Sequence, residues 1–492
     1  MCQIDRDTFK SLAADYRMIP VWTAIPLETR DPLETFQALK NLSRQCFILE
    51  SLEHGSRRGR YTFLGYDPKL EISCINGLLT IKNGAELELR TSDPGQYIKQ
   101  IIQDNKSPRL PGLPPFTGGL AGYFAYDYLK YREPSLSLDA PDQEGFKDVD
   151  LMLFDKVIAY DHLKKHIILM INAKTDAPWE NYNRAAAELG NLRRIIETGA
   201  PARPEPLRLL SPFRPLFDKE RFCDMAQEAK RHIREGDIFQ AVLSNRLDAD
   251  AEGSLFDTYR ALRALNPSPY MFYFSSDHIE LAGASPETLA RLEGRTVWTF
   301  PLAGTRPRGR DEAEDAELER ELLADPKELA EHNMLVDLGR NDLGKVSEFS
   351  SVVVEKYLSI ERFSHVMHLG SAVSGRLREE KSALDVIDAV LPAGTLSGAP
   401  KIRACQIINR LENNKRGIYG GAVGYAAFTG DMDTCISIRL AYKKNGKVFV
   451  RSGAGIVADS EPEKEYCECA SKMQAVMAAL EKQGGPGNDS SY

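Results

Sequence analysis

Residues 325–344 read DPKELAEHNMLVDLGRNDLG and end an acidic run, 311–344, that has helical periodicity. Most of the charge in such a run is typical of a solvated helix face. Glu328 and Glu331, however, stand three residues apart, a spacing that places two side chains on one side of a helix. If the run is helical, these two carboxylates therefore act as a local pair.

A second carboxylate pair follows near the C-terminus. In SGAGIVADSEPEKEYCECASK, residues 452–472, Glu465 and Glu468 repeat the three-residue spacing. Taken singly, each of these residues is more often an ordinary surface glutamate. Two helix faces with two carboxylates each nevertheless predict a site for a hard cation, and Mg²⁺ is an ion that prefers such oxygen ligands.

The overall composition is typical of a folded globular protein. Hydrophobic residues make up 42% of the 492 residues and charged residues 27%. The formal net charge of -8 argues against a nucleic-acid partner, because such proteins carry a basic face for phosphates. No run reaches 18 apolar residues and no signal peptide is visible, so we expect no membrane span and no export. The 8 scattered cysteines lack the spacing of a disulfide framework, which favours reduced thiols in the cytoplasm.

The length fits either two domains or one large interleaved α/β body. Strand-like runs punctuated by Gly and Pro fill residues 20–170, which predicts an N-terminal domain at 1–200. The segment APARPEPLRLLSPFRP, with five prolines, is the strongest linker signal and predicts a second domain at 215–482. Residues 483–492 are typical of a disordered tail.

Eight blocks of sequence resemble the chorismate-utilising enzymes and follow the order in which that family has them. They are GASPETL (283–289), FPLAGTRPRG (300–309), DPKELAEHNMLVDLGRNDLG (325–344), HVMHL (365–369), PAGTLSGAPK (392–401), YGGAVGY (419–425), ISIRLA (436–441) and SGAGIVADSEPEKEYCECASK (452–472). The resemblance covers nearly the whole chain. It implies an α/β (α+β) fold of the anthranilate synthase type, a sandwich of antiparallel sheets with flanking helices, and it makes 215–482 the chorismate-binding catalytic domain.

The resemblance gives the two carboxylate pairs a role. The metal ligands of the family fall on Glu331 and Glu468, and Glu328 and Glu465 are expected to orient them directly or through water. We therefore expect a bound Mg²⁺ ion that shares its coordination shell with an anionic substrate.

Chorismate carries two carboxylates, and one metal ion can hold only one of them closely. Arg439 is expected to clamp the other, because a guanidinium group matches a carboxylate in a bidentate fashion, and Tyr419 can add a hydroxyl donor. The remaining implied substrate contacts, most of them small residues that let the main chain approach a ligand, are Gly304, Thr305, Gly453, Ala454 and Gly455. Without the family context, Arg439 is equally an edge residue and the glycines are tight turns.

Proton transfer requires an acid near the C4 hydroxyl that leaves. His368 matches the proton donor of the family and titrates near neutrality, and Glu287 matches an active-site position. Thr395 is implied as a hydroxyl donor, and Lys472 as a local cation one turn after Glu468.

Ala303 distinguishes between the branches of the family. Members that form aminodeoxychorismate carry lysine at this position, where its amine attacks C2 of the ring; isochorismate- and salicylate-forming members, which use water, normally carry it too. Here a methyl group leaves room for ammonia to attack C2 directly. The resemblance thus implies a lyase of the anthranilate synthase kind, which aminates chorismate and eliminates pyruvate in the first step of tryptophan biosynthesis. The alternatives are an aminodeoxychorismate synthase component and a non-catalytic tryptophan-sensing homologue.

A regulatory site is also implied by resemblance. Two segments match the elements with which anthranilate synthases bind tryptophan, which predicts allosteric feedback inhibition. Their residues are Leu49, Glu50, Ser51, Pro269, Tyr270 and Met271. Both segments also fit plain strand and turn packing.

The chain contains no recognisable glutaminase motif of the GxCxGxQ type. Ammonia derived from glutamine must then come from another polypeptide. We therefore expect a separate glutamine amidotransferase subunit in a hetero-oligomer, with free ammonium as a bypass.

Overall fold

A computed structural model of the chain describes residues 4–52, 57–363 and 366–484. Within these ranges the helices are α1 (Arg6–Leu12), α2 (Pro32–Lys40), α3 (Pro94–Asp104), α4 (Pro178–Thr198), α5 (Lys219–Arg234), α6 (Phe256–Leu265), α7 (Glu312–Ala324), α8 (Pro326–Gly344), α9 (Ala383–Val390), α10 (Lys401–Glu412) and α11 (Pro462–Gly484). Short 3₁₀ turns lie at Leu27–Thr29, Arg57–Arg60, Tyr126–Tyr131 and Gly394–Leu396. Of the predicted tail, 485–492 lies outside the described residues, whereas 483 and 484 end α11.

The strands of the same ranges are β1 (Met18–Pro26), β2 (Cys46–Glu50), β3 (Tyr61–Tyr66), β4 (Leu70–Ile75), β5 (Leu78–Asn83), β6 (Ala85–Arg90), β7 (Gly119–Phe124), β8 (Val149–Phe154), β9 (Lys156–Asp161), β10 (His166–Lys174), β11 (Arg208–Leu209), β12 (Arg214–Pro215), β13 (Gln240–Glu252), β14 (Tyr270–Ser275), β15 (Glu280–Ser285), β16 (Thr288–Glu293), β17 (Thr296–Thr299), β18 (Leu302–Pro307), β19 (Val353–Arg362), β20 (Val366–Arg376), β21 (Gly398–Ala399), β22 (Ala422–Ala427), β23 (Met432–Ile436), β24 (Leu440–Lys444) and β25 (Lys447–Ile456).

These strands form two large antiparallel sheets. The first sheet has the order β1-β10-β9-β3-β2-β14-β15-β24-β25-β13-β11, with β12 and β21 also paired to β13. The second has the order β18-β20-β17-β16-β23-β22-β7-β8-β4-β5-β6, with β19 paired to β20. Each sheet thus combines strands from both halves of the chain.

Alternation along the strands produces a sandwich with a core between the sheets and further cores under the helices. In β10, Ile168 and Met170 pack between the sheets, whereas Ile167, Leu169 and Ile171 point to the outer face that α4 covers. A strand buried on both faces is apolar at successive positions, as β10 is from Ile167 to Ile171. The expected sandwich of antiparallel sheets with flanking helices is confirmed.

The acidic run 311–344, which has helical periodicity, forms two helices, α7 and α8. Asp325 ends α7 and caps α8, and Pro326 occupies the first helical position of α8. Proline has no N–H to continue the α7 hydrogen-bond ladder, but its fixed φ suits a helix start. The break aims α8, which carries Glu328 and Glu331, independently of α7.

The proline-rich segment 200–215 connects α4 to α5 through the short strands β11 and β12. Because both sheets take strands from either side of this segment, the two predicted domains share their cores through the sheets. The predicted domain boundaries at 1–200 and 215–482 remain a prediction. No helix in the described ranges has the length and hydropathy needed to cross a lipid bilayer.

Candidate active site

Two helices bring the predicted metal ligands to one place. Glu328 and Glu331 lie on α8, and Glu465 and Glu468 lie on α11. Burial raises the pKa of Glu331, and the negative charges of Glu328 and Glu468 raise it further. Burial also raises the pKa of Glu465, to which Glu468 adds. The two helix faces therefore concentrate negative charge across one gap, which is the electrostatic setting that a divalent cation stabilises.

The donor set at this gap consists of carboxylate oxygens, which suits Mg²⁺ better than a thiolate-preferring ion. The four carboxylates lie farther apart than the ligands of a fully coordinated metal ion. In the described part of the chain, three potential ligand atoms lie within 4.8 Å of one another only at His232, Glu235 and Asp237. An ion held by Glu331 and Glu468 would thus keep positions open for water and a substrate oxygen.

The group at His232 is a structural cluster at the end of α5. His232 Nδ1 lies 2.6 Å from Asp237 Oδ2, and Arg403 Nη2 lies 2.9 Å from the same carboxylate oxygen. Arg410 contacts the other ring nitrogen of His232. Because Arg403 already neutralises Asp237 and Arg231 neutralises Glu235, the cluster does not fit a metal centre.

A bulge in β18 holds His368. Ala303 pairs with Leu369 and Arg306 with Met367, so two residues, Gly304 and Thr305, stand opposite His368 alone. Gly304 has a φ of 63°, in the left-handed region that glycine adopts without strain. Its carbonyl oxygen accepts a 2.8 Å hydrogen bond from His368 Nδ1, and Thr305 Oγ1 lies 3.1 Å from the same nitrogen.

This arrangement fixes the tautomer of His368. A carbonyl oxygen can only accept, so Nδ1 carries the proton and Nε2 offers a lone pair. Burial lowers the pKa of His368, and the positive charge of Arg439 lowers it further. At neutral pH the ring is therefore a neutral acceptor at Nε2.

The edge of β25 forms another wall of the site. Past Val450, β25 pairs with β13 but no longer with β24 in the described sheet, so the backbone edge at 453–455 has no neighbouring strand on that side. Gly453 and Gly455 share one face, and a methyl group on Gly453 would lie 2.7 Å from the hydroxyl of Tyr419. Ala454 points to the other face and packs under α5 and α10, so only its main chain can serve a ligand.

Arg439 lies between β23 and β24 with a φ of 55°, a conformation that is uncommon for a residue with a side chain. Its Nη1 donates to the backbone oxygen of Lys472 at 2.6 Å. No acidic side chain of the described residues forms an ion pair with its guanidinium, and burial lowers its pKa. The remaining donors are thus free for an anion.

Glu287 and Thr395 form a hydrogen-bonded pair in the site. Thr395 Oγ1 donates to Glu287 Oε1 at 3.2 Å. Burial raises the pKa of Glu287 to about 7, although Thr395 and the charge of Lys472 oppose the shift. A carboxyl group with this pKa exchanges its proton at neutral pH.

Lys472 on α11 connects these parts. Its Nζ lies 2.6 Å from Glu468 Oε1 and donates to the carbonyl of Gly453 at 3.0 Å. Its positive charge also opposes part of the rise in the pKa of Glu287 and of Glu331. The predicted metal, substrate and catalytic residues of the described chain therefore surround a single site.

The six residues that are predicted to bind tryptophan lie together in another part of the protein. All of them line one cavity of about 1260 Å³ between the sheets. Glu50 Oε1 accepts hydrogen bonds from Tyr259 and, at 2.8 Å, from Arg263 Nε. Glu50 Oε2 and Ser51 Oγ are buried without a hydrogen-bond partner among the described residues.

Three residues of the site region escaped the sequence reasoning. Phe300 lines both the large cavity and a small second cavity that contains Glu287 and Thr395. Gln240 is buried with an unpaired Oε1, and its Nε2 lies 2.6 Å from where a methyl group on Gly455 would be. Arg306 contacts α8 from β18. Phe300 and Arg306 stand inside the FPLAGTRPRG block, which was the only available signal for them.

Comparisons with known proteins agree on one family. The sequence profile described as chorismate binding enzyme matches residues 44–478. The chain is 43% identical to anthranilate synthase component 1 of Acetivibrio thermocellus, over 97% of its own length and 98% of that protein. It is 45% identical to the protein of the same name from Acinetobacter calcoaceticus, over 95% and 96%. Its structure is similar to the crystal structure of anthranilate synthase component I from Streptococcus pneumoniae, with a TM-score of 0.74, 38% identity, and coverage of 87% and 94%. These similarities confirm the resemblance that the motifs predict.

Proposed function

Because the chain belongs to the family of chorismate binding enzymes and is a chorismate-utilising enzyme, we propose that it catalyses the anthranilate synthase reaction as the large, chorismate-binding component. In this reaction ammonia adds to C2 of chorismate, the C4 hydroxyl leaves as water, and pyruvate is then eliminated to give anthranilate. The observation that carries the proposal is the convergence of Glu331, Glu468, Arg439, Glu287 and His368 on one site around Lys472.

The two carboxylates of chorismate fit two parts of this site. Arg439 has free guanidinium donors, and the Tyr419 hydroxyl and the main chain at 453–455 lie on the same side of Lys472. Together they bind the carboxylate of the enolpyruvyl group. Glu331 and Glu468 would hold Mg²⁺, which when bound supplies charge for the ring carboxylate. The Gly304–Thr305 bulge then orients the ring.

The protonation states of Glu287 and His368 in the free site suit one of them to donate a proton and the other to accept one. Glu287, with a pKa of about 7, is protonated in a large fraction of molecules at neutral pH and donates a proton to the leaving C4 hydroxyl. His368 is neutral with its lone pair at Nε2, so it accepts the C2 proton when pyruvate leaves. This reverses the role of proton donor that the motif resemblance alone gives to His368.

Ala303 supports amination by free ammonia. It lies on β18 beside the bulge and presents only a methyl group where a lysine would form a covalent intermediate. Since relatives of this chain are named as component 1 of their enzyme, we assign the ammonia supply to a separate glutamine amidotransferase subunit in a cytoplasmic hetero-oligomer. The product places the chain at the entry to tryptophan biosynthesis.

The purified chain, given chorismate, Mg²⁺ and ammonium, is expected to produce anthranilate without any glutaminase subunit, and excess EDTA is expected to stop the reaction. Anthranilate fluorescence measures the product directly. Glutamine alone should give none. Accumulation of aminodeoxychorismate would instead indicate the related synthase, and tryptophan binding without any product would indicate a sensor.

We further propose that the large cavity binds tryptophan and inhibits the enzyme. Glu50 Oε2 and Ser51 Oγ have no partner among the described residues, and they can accept two of the three N–H groups of an amino-acid ammonium group. The apolar walls at Leu49, Met271 and Pro269 suit an indole ring. Phe300, which lines this cavity and the one at Glu287, provides a physical connection between the two sites.

Ser51→Phe is expected to abolish inhibition by tryptophan and to leave ammonia-dependent turnover unchanged, because the added ring fills the cavity far from Arg439 and Glu331. Calorimetric titration with tryptophan checks the loss of binding. Ser135→Phe, at an exposed position outside the cavity, is the matched control.

In the wild type, chorismate with Mg²⁺ is expected to weaken tryptophan binding, because coupling between two sites is reciprocal. Equal tryptophan affinity with and without chorismate, or unchanged inhibition in Ser51→Phe, would contradict the regulatory proposal.

A further inference from the structure

Arg306 links the two halves of the proposed active site. It is the first residue of β18 after the bulge that holds His368. Its Nη1 donates to the carbonyl of Thr305 at 3.0 Å, and its Nη2 donates to Asp325 Oδ2 at 2.9 Å. One guanidinium group therefore joins the bulge to the start of α8.

The carboxylate of Asp325 both caps α8 and forms an ion pair with Arg306. Its Oδ1 accepts from the backbone N–H groups of Lys327 at 3.0 Å and Glu328 at 3.3 Å, which caps α8. Its Oδ2 accepts from Arg306, which holds the pKa of this carboxyl group below its usual value. The orientation of the first turn of α8 is thus tied to β18 through one carboxylate.

Glu328 lies in the same contact. Its Oε1 is 4.0 Å from Arg306 Nη1, and its Oε2 is 3.1 Å from the position of a methyl group on Gly304. Arg306 is therefore in contact both with the bulge that orients His368 and, through Asp325 and Glu328, with the first turn of α8. Side-chain exposure of Arg306 is 23%, so its ion pair is partly shielded from water.

We infer that Arg306 is a positioning residue, which sets the distance between the metal-binding carboxylates of α8 and the imidazole of His368. The inference rests on the proposed function and deepens it. Residues that orient the ligands of a metal typically change metal affinity or activity by about 10- to 100-fold when they are replaced. Arg306 is expected to act in this way without touching metal or substrate.

Arg308 provides a matched comparison within the same block. It is bound to Asp315 of α7, with Nε 3.0 Å from Oδ2, and it donates through Nη1 to the carbonyl of Phe363 at 2.9 Å. Its side chain is 34% exposed. It thus makes the same kind of ion pair from the same strand end, but it ties down α7 rather than α8.

The test compares Arg306→Gln, Arg306→Lys and Arg308→Gln in the full chain. Arg306→Gln is expected to raise the Mg²⁺ activation constant about 10-fold or more and to lower kcat. Lysine, which can pair with Asp325 but cannot also reach Thr305, should restore part of the loss. Arg308→Gln should leave both quantities near the wild-type values.

Metal binding without turnover supplies an independent readout. Electron paramagnetic resonance of Mn²⁺, with chorismate present and ammonium absent, should show about 10-fold weaker binding in Arg306→Gln but not in Arg308→Gln. Asp325→Asn keeps a capping side chain but weakens the ion pair with Arg306, so it should also weaken Mn²⁺ binding. This variant replaces Arg306→Gln in the test if Arg306→Gln does not fold.

Unchanged Mn²⁺ affinity in Arg306→Gln and in Asp325→Asn, an equal loss in Arg308→Gln, or no Mn²⁺ binding by the wild type would overturn the inference. A wild-type chain that binds Mn²⁺ but forms no anthranilate would overturn the proposed function, while the comparison of Mn²⁺ affinities would still decide the role of Arg306.

Discussion

Replacement of Glu331 or Glu468 by glutamine is expected to reduce anthranilate formation by about three orders of magnitude or more. A bound divalent ion supplies several kcal/mol of transition-state stabilisation, and each 1.4 kcal/mol corresponds to about tenfold in rate. Both residues face the same gap, and burial together with Glu328 and Glu468 raises the pKa of Glu331. Glutamine preserves the shape of the side chain but removes the charge that attracts the ion. Steady-state kinetics over a range of Mg²⁺ concentrations measures the effect.

The controls lie on the same two helices. Asp337→Asn on α8 and Glu481→Gln on α11 remove one exposed negative charge each, away from the gap, and they should keep wild-type rates. Circular dichroism and a thermal melt confirm that each variant folds. A near-normal rate for Glu331→Gln or Glu468→Gln would show that the carboxylates are not metal ligands.

Glu287→Gln is expected to lower kcat by about two to four orders of magnitude, the usual contribution of general acid catalysis. The wild-type value of kcat/KM, expressed per free NH₃, should fall as pH rises above about 7, because Glu287 must be protonated to donate and its pKa is raised to about 7. The variant should lack this alkaline limb. At lower pH the same quantity in the wild type should rise with pH through the pKa of His368, which burial lowers, because His368 must be neutral to accept a proton.

The two groups are distinguishable by which limb each substitution removes. His368→Ala should slow turnover and lose the acid limb while the alkaline limb remains. If His368→Ala instead removed the alkaline limb and Glu287→Gln retained it, the proton donor would be His368, as the motif resemblance alone implies. Profiles are measured without tryptophan, so that regulation does not contribute.

Much of the secondary structure follows local sequence patterns, whereas the sandwich fold was predicted from the motif resemblance. The strands between residues 20 and 170, among them the apolar run of β10, and the helical periodicity of 311–344 are visible in the sequence. The pairing of β2 with β14 has no such local signal, because hydrogen-bond register between distant strands depends on the whole sheet. The periodicity of 311–344 also concealed a helix break, which the Asp325–Pro326 pair marks.

The residue types of the candidate site came from motif resemblance, but their proton states did not. A sequence shows a histidine in HVMHL; it does not show that a glycine carbonyl accepts its Nδ1 proton or that burial lowers its pKa. Likewise, the raised pKa of Glu287 arises from residues that surround it in space. Arg306 was visible within its block, but its link to Asp325 depends on how α8 packs against β18.

The pairing of early strands with late ones also has a consequence for the newly made chain. Strand β7 (Gly119–Phe124) has β22 (Ala422–Ala427) as a neighbour, and Leu49 of β2 pairs with Phe272 of β14. A ribosome adds 5 to 20 residues each second, so about 15 to 60 s pass between the synthesis of β7 and the synthesis of β22. Throughout that interval the edge of β7, all of whose residues are buried in the finished protein, is available to other nascent chains. We therefore expect production of this enzyme in a cell to benefit from chaperones that cover open strand edges until β22 (Ala422–Ala427) has been synthesised.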